Sequence, residues 1–213
     1  MSSKKLPPTI PFASGRYSKQ AHVDISEGTF EEEHARHGFF GRTSHLYHSN
    51  APTGWSRIDG PLQPHAYDLS KVRDKAQQAP QPFLGNSDVC LWIYTPKEAM
   101  SFFARNADAD EAWFIHEGKG LIETDFGPLQ YRKGDYVIIP RGTTYRCYPE
   151  KSPQFYLLIE SFSELEIPDR GQLGRHAFYD PGGIEVAQAK PSTAGPTKGK
   201  EWEIRIKREG VWT

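Results

Sequence analysis

Between residues 89 and 162 the chain passes through seven short β-forming stretches, and no other feature narrows the possible folds as much. They are VCLWIY (89–94), AWFIH (112–116), GLIET (120–124), LQYR (129–132), YVIIP (136–140), TTYRCY (143–148) and FYLLIES (155–161). Turn formers separate them: Glu117-Gly118, Asp125-Phe126-Gly127, Lys133-Gly134-Asp135 and Pro140-Arg141-Gly142. No intervening segment reads as a helix of about ten residues, so parallel βαβ winding is excluded and an all-β sandwich or barrel is expected.

The flanks read differently. Residues 1–88 are rich in His, Pro and Gly with little periodicity, and predict an irregular arm packing on the β-region. Within the arm, 68–78 predicts a helix with Asp68 as N-cap, stopping before Pro80. The short charged run 31–37 reads as a helical turn or a loop. Residues 89–165 are the β-core, and 166–213 a loop-rich extension. That extension holds a flexible connection, PSTAGPTKGK (191–200), and a final strand in which Trp202, Ile204 and Ile206 alternate with Glu203, Arg205 and Lys207. At roughly 150 residues per domain, 213 residues predict one domain, or one plus an elaborated arm. The end at Thr213, straight after Val211 and Trp212, predicts a chain cut from something longer.

Composition removes several classes of function. Lys+Arg number 26 against 27 Asp+Glu, so there is no cationic excess to neutralise phosphates and nucleic acid is not an expected partner. No stretch approaches the roughly 18 apolar residues of a membrane span, and the N-terminus lacks the apolar core of a secretory signal. Cys90 and Cys147 are too few for a disulfide scaffold, and both read as small buried hydrophobes. A cytoplasmic protein is expected.

One spacing is specific. Gly134, five residues, Pro140, one residue, Gly142, two residues and Tyr145 resemble the second motif of the cupin superfamily, with Tyr145 where that motif has His. Glu111 and Gly118 match the second half of the first motif. Its two His positions fall on Ala104 or Arg105 and on Asn106 or Ala107. The resemblance implies a cupin-like barrel or sandwich whose metal positions are degenerate. Glu111 and Tyr145 remain there, one carboxylate and one neutral phenol, which is not a set that holds Fe(II) tightly.

A closer resemblance runs from about residue 19 to the end. The hairpin ETDFG (123–127), the strand GDYVIIPRG (134–142) and the loop E-x-P-D-x-G-x-L-G (166–174) resemble, in order, the N-terminal domain of the homogentisate 1,2-dioxygenase family. The resemblance implies a ring-cleaving enzyme of tyrosine and phenylalanine breakdown, converting homogentisate and O2 to maleylacetoacetate on Fe(II). It further implies a trimer-based hexamer, with the two His and one Glu that bind iron in a C-terminal catalytic half. No position here matches those ligands, so no catalytic residue, cofactor or metal is assigned to this chain. The 213 residues are expected to be inactive alone, with a C-terminal half as partner. The alternative is a free-standing, metal-free cupin that binds a small aromatic acid or serves assembly.

Among the eight His, four form two H-x2-H pairs: His34 with His37 and His45 with His48. They are the weaker metal candidates, with Glu31, Glu32 and Glu33 as oxygen donors. An extended SHLYH would place His45 and His48 on opposite faces, which favours surface hydrogen bonding. Phe114, Tyr136 and Phe155 read as core, while Trp113, Tyr131 and Tyr145 are candidates for the mouth of the fold.

Overall fold

The computed structural model describes residues 20, 22–37, 40–167, 180–190 and 201–213; side chains are described at all of these except 36, 37 and 40–42. The chain forms two compact units, Met1–Ala66 and Tyr67–Thr213.

The first unit contains an antiparallel hairpin, β1 (Phe30–His37) and β2 (Phe40–His48). The run expected to be a turn or loop is therefore a strand. Its period of two sets Glu31 and Glu33 on one face and Glu32 and His34 on the other, each across from the matching face of β2. Cross-strand pairing satisfies the backbone, which an isolated charged turn could not do.

The second unit is an all-β sandwich of two separate sheets. It is not a closed barrel. One sheet has five strands: β3 (Gln81–Gly85), β4 (Val89–Tyr94), β11 (Phe155–Ser161), β6 (Asp110–Glu117) and β9 (Tyr136–Ile139), side by side in that order. The other has six: β13 (Val211–Trp212), β12 (Ile204–Arg208), β5 (Phe103–Asn106), β10 (Thr144–Pro149), β7 (Lys119–Thr124) and β8 (Gly127–Arg132). The two compact units divide at 66/67, and β3 pairs with β4 and so belongs to the sandwich. The expected helix is a shorter 3₁₀ segment, Leu69–Ala76, capped by the Asp68 side chain accepting from the Ser70 N–H. The 166–174 loop from residue 168 on, and the connection 191–200, lie outside the described residues.

Alternation decides what enters the core. In the five-stranded sheet Ile115, Tyr156 and Tyr94 form one cross-strand row, Trp113, Leu158 and Trp92 the next, and Glu111, Glu160 and Cys90 the third. The first two rows are apolar and pack against Ile122, Tyr131, Tyr145 and Cys147 of the opposite sheet. The third row carries two carboxylates into the interior. Phe114, Tyr136 and Phe155 do not fill the core. They take the other face with exposed His116, where the Phe114 and Tyr136 rings lie 4.9 Å apart and Tyr136 is 63% exposed. One step of the pleat separates them from Trp113 and Tyr156. Cys147 is fully buried, but Cys90, expected to be buried, is only half so.

Two turns hold the motif residues in place. Gly134 sits at φ +95° and donates its N–H to the Ile115 carbonyl at 2.8 Å. Gly142, at φ +82°, donates to the Asn106 carbonyl at 2.7 Å. Both conformations are ones a Cβ disfavours, and together they aim β10 so that Tyr145 points inward. The C-terminal segment is drawn in by Trp202, which lies under the Arg146 guanidinium at 3.9 Å. Strand β12 then runs parallel to β5, pairing Lys207 with Asn106. It has the expected strand period, yet it buries Lys207 and leaves Ile204 47% exposed.

Candidate functional site

The third row forms a polar knot inside the sandwich. Glu111 accepts three hydrogen bonds: from Asn106 Nδ2 at 2.9 Å, from Trp113 Nε1 at 2.9 Å and from the Tyr145 hydroxyl at 2.9 Å. Asn106 spends its second amide hydrogen on Glu160, at 2.7 Å. Glu160 also accepts from Trp92 Nε1 at 3.1 Å and forms an ion pair with Lys207. Glu111, Glu160 and Lys207 are all at most 6% exposed. Asn106 Oδ1 in turn accepts the N–H groups of Asp108 and Ala109, so the turn after β5 fixes the amide's orientation.

Burial holds the Glu111 carboxyl above the usual carboxylate range, against the pull of its three donors. Burial, and then the facing Glu111, push the Tyr145 phenol far up, so it stays a neutral donor. At the other end of the interior the Tyr131 and Tyr156 hydroxyls bond at 2.7 Å, Tyr156 donates to Gln154, and burial raises the Cys147 thiol to about 12.

The inferred degenerate pair is therefore brought together: Glu111 and Tyr145 are bonded to each other. They do not suit iron. The carboxylate is saturated by protein donors, the phenol is neutral, and the only imidazole described in this unit, His116, is exposed on the outer face. A facial triad needs two imidazoles turned inward beside a carboxylate. Sequence reasoning missed Glu160, Lys207, Trp92 and the bridging role of Asn106. The available signal was Glu160 itself, a charge on the inward phase of the apolar run FYLLIES. Beside the knot a cavity of about 580 Å³ is lined by Cys90, Trp92, Glu160, Phe162 and Lys207 among others.

The four hairpin His separate. His45 lies with Glu31 on one face, where His22 from the preceding loop joins them. His34 and His48 flank Glu32 on the opposite face, each at 3.2 Å. The side chain of His37 lies outside the described residues. His22, missed in the sequence, lies nine residues before Glu31 and meets His45 only once the hairpin forms.

Comparison with known proteins decides the family. The family described as "Homogentisate 1,2-dioxygenase N-terminal" matches residues 43–197, well over half of the chain. The chain belongs to this family. A protein of Saccharolobus solfataricus with a provisional dioxygenase name is 31% identical over 195 residues, covering 78% of this chain and 48% of the relative. The homogentisate 1,2-dioxygenase of Pseudomonas entomophila is 24% identical over 163 residues, covering 71% and 36%. The family member described here thus spans about half the length, or less, of these curated relatives. Among solved structures, a cupin-2 domain protein of Shewanella frigidimarina aligns with a TM-score of 0.36 at 19% identity, covering 40% of this chain and 81% of that one. Among the described residues no helix is long and apolar enough to cross a membrane.

Proposed function

We propose that this chain acts as the non-metal-binding half of a homogentisate 1,2-dioxygenase-like, Fe(II)-dependent ring-cleaving oxygenase of the cytoplasm. Oxygen chemistry would reside in a C-terminal half, within a trimer-based hexamer. The observation that carries this reading is Glu111: the one carboxylate at a cupin metal position is occupied as an acceptor by Asn106, Trp113 and Tyr145. A family member so built is suited to support another domain. Exposed Tyr136 and Ile138 on the edge strand β9 offer apolar surface to such a partner. The test is homogentisate-dependent oxygen uptake with added Fe(II). Uptake is expected from a polypeptide carrying both halves and none from these 213 residues; turnover by the 213 residues alone would overturn the assignment.

The cavity beside Lys207 favours one second reading, a metal-free binder of a small aromatic acid. Trp92 and Phe162 supply ring surface there, and Lys207, paired with Glu160, is the one cation in a lining that also holds Asp108, Glu160 and Glu209. Titrating homogentisate against tryptophan fluorescence decides it: saturable quenching that Phe162→Ala abolishes supports binding, and a flat titration removes this reading.

A further inference from the structure

The hairpin face carrying His22, Glu31 and His45 gathers three metal-ligating side chains outside the sandwich. We propose that it binds one divalent transition-metal ion of the zinc type, through His22 Nδ1, His45 Nδ1 and the Glu31 carboxylate. The three ligand atoms already lie within 4.8 Å of one another. Both imidazoles turn the same nitrogen, Nδ1, toward the same carboxylate: His22 contacts Oε2 at 2.8 Å, and His45 contacts Oε1.

Each ligand is placed by the backbone. Glu33 pairs with His45 and Glu31 with Tyr47, so Glu31 and His45 are diagonal neighbours on one face, within reach of long side chains. His22 is tied over that face by its own backbone N–H, which donates to the Tyr47 hydroxyl at 3.1 Å. The His22 and His45 rings meet edge to face, with centroids 5.1 Å apart. Metal–nitrogen and metal–oxygen bonds of about 2.0–2.2 Å put tetrahedral ligand atoms roughly 3.5 Å apart. Side-chain rotation alone covers the difference. A cation entering there takes the place of the Nδ1 protons now directed at Glu31, and two imidazoles with one carboxylate suit Zn²⁺ and its neighbours. Three protein ligands leave a fourth position for water.

The opposite face is a built-in control. Glu32 is also flanked by two imidazoles, His34 and His48, each at 3.2 Å, but these three ligand atoms do not all close to within 4.8 Å of one another. Among the described residues only the His22 group brings three ligand atoms together.

The test uses the 213-residue chain, stripped with chelator and titrated with Zn²⁺ or Co²⁺. One equivalent should bind. His22→Gln and His45→Gln should each weaken binding at least about tenfold, while His34→Gln and His48→Gln leave it unchanged. Imidazole ¹⁵N resonances of the unaltered chain give a readout that no folding defect can mimic: Zn²⁺ should move His22 and His45 and spare His34 and His48. No binding tighter than millimolar, or binding indifferent to His22→Gln and His45→Gln, would overturn the proposal.

Discussion

The hairpin and the sandwich interior each gather donors around a glutamate, and they do so with opposite materials. On the hairpin Glu31 meets two imidazoles at a solvated surface. In the sandwich Glu111 meets an amide, an indole and a phenol, with the Lys207–Glu160 pair adjoining through Asn106. Imidazoles can exchange a proton for a metal, whereas an indole N–H and a phenol buried well above its ordinary pKa cannot readily do so. The difference also sets the energetics. Charged groups in water contribute little to folding, while the same groups buried must be matched or they cost several kcal/mol.

The largest effect expected from this contrast is at Lys207. Lys207→Met leaves the buried Glu160 without its counter-ion, and should destabilise the sandwich by about 3–5 kcal/mol in denaturant unfolding. Adding Glu160→Gln should return part of that loss by removing the uncompensated charge, although Asn106 and Trp92 donate to different oxygens of Glu160 and the single amide oxygen keeps only one of those bonds. A double variant no better than the single one would show that the pair is not the unit described here.

Glu111→Gln comes next. An amide must turn its NH₂ toward one of three donors, so a cost of about 1–3 kcal/mol is expected. The same variant sharpens the pH argument. A carboxyl raised by burial favours the folded state in its protonated form. Its contribution is full below the unfolded Glu value of about 4.3, and it is lost as pH rises through the folded value. Stability of the unaltered chain should therefore decline over that window. Glu111→Gln should remove this component of the slope, and an unchanged slope would contradict the direction given for Glu111.

Much of this was legible in the residues and some was not. The short runs and their turn glycines foretell strands because Gly134 and Gly142 adopt backbone that other residues avoid. The Pro140-x-Gly142 corner foretells an inward Tyr145 for the same reason. Which face of β6 looks inward was not legible, since Trp113 and Phe114 are equally apolar and only pairing with β11 separates them. Lys207 looks like solvent-facing charge in EWEIRIK. Its burial depends on the parallel match with β5, a contact about 100 residues away along the chain. The His45–Glu31 approach is likewise a product of the hairpin register, which short-range patterns do not encode.

Smaller effects test the solvated side. His48→Ala should change unfolding free energy by no more than about 0.5 kcal/mol, as loss of an exposed contact such as His48–Glu32 does. Tyr136→Lys on the edge strand should leave stability nearly unchanged. If Tyr136 and Ile138 form a partner surface, the unaltered chain should self-associate in size-exclusion chromatography and the lysine variant less so.

The most direct measurement is anomalous diffraction at the iron edge from crystals of the chain equilibrated anaerobically with Fe(II). The account predicts no anomalous peak inside the sandwich, with Asn106, Trp113 and Tyr145 still in hydrogen-bond contact with Glu111. A peak bound between Glu111 and Tyr145 would contradict it.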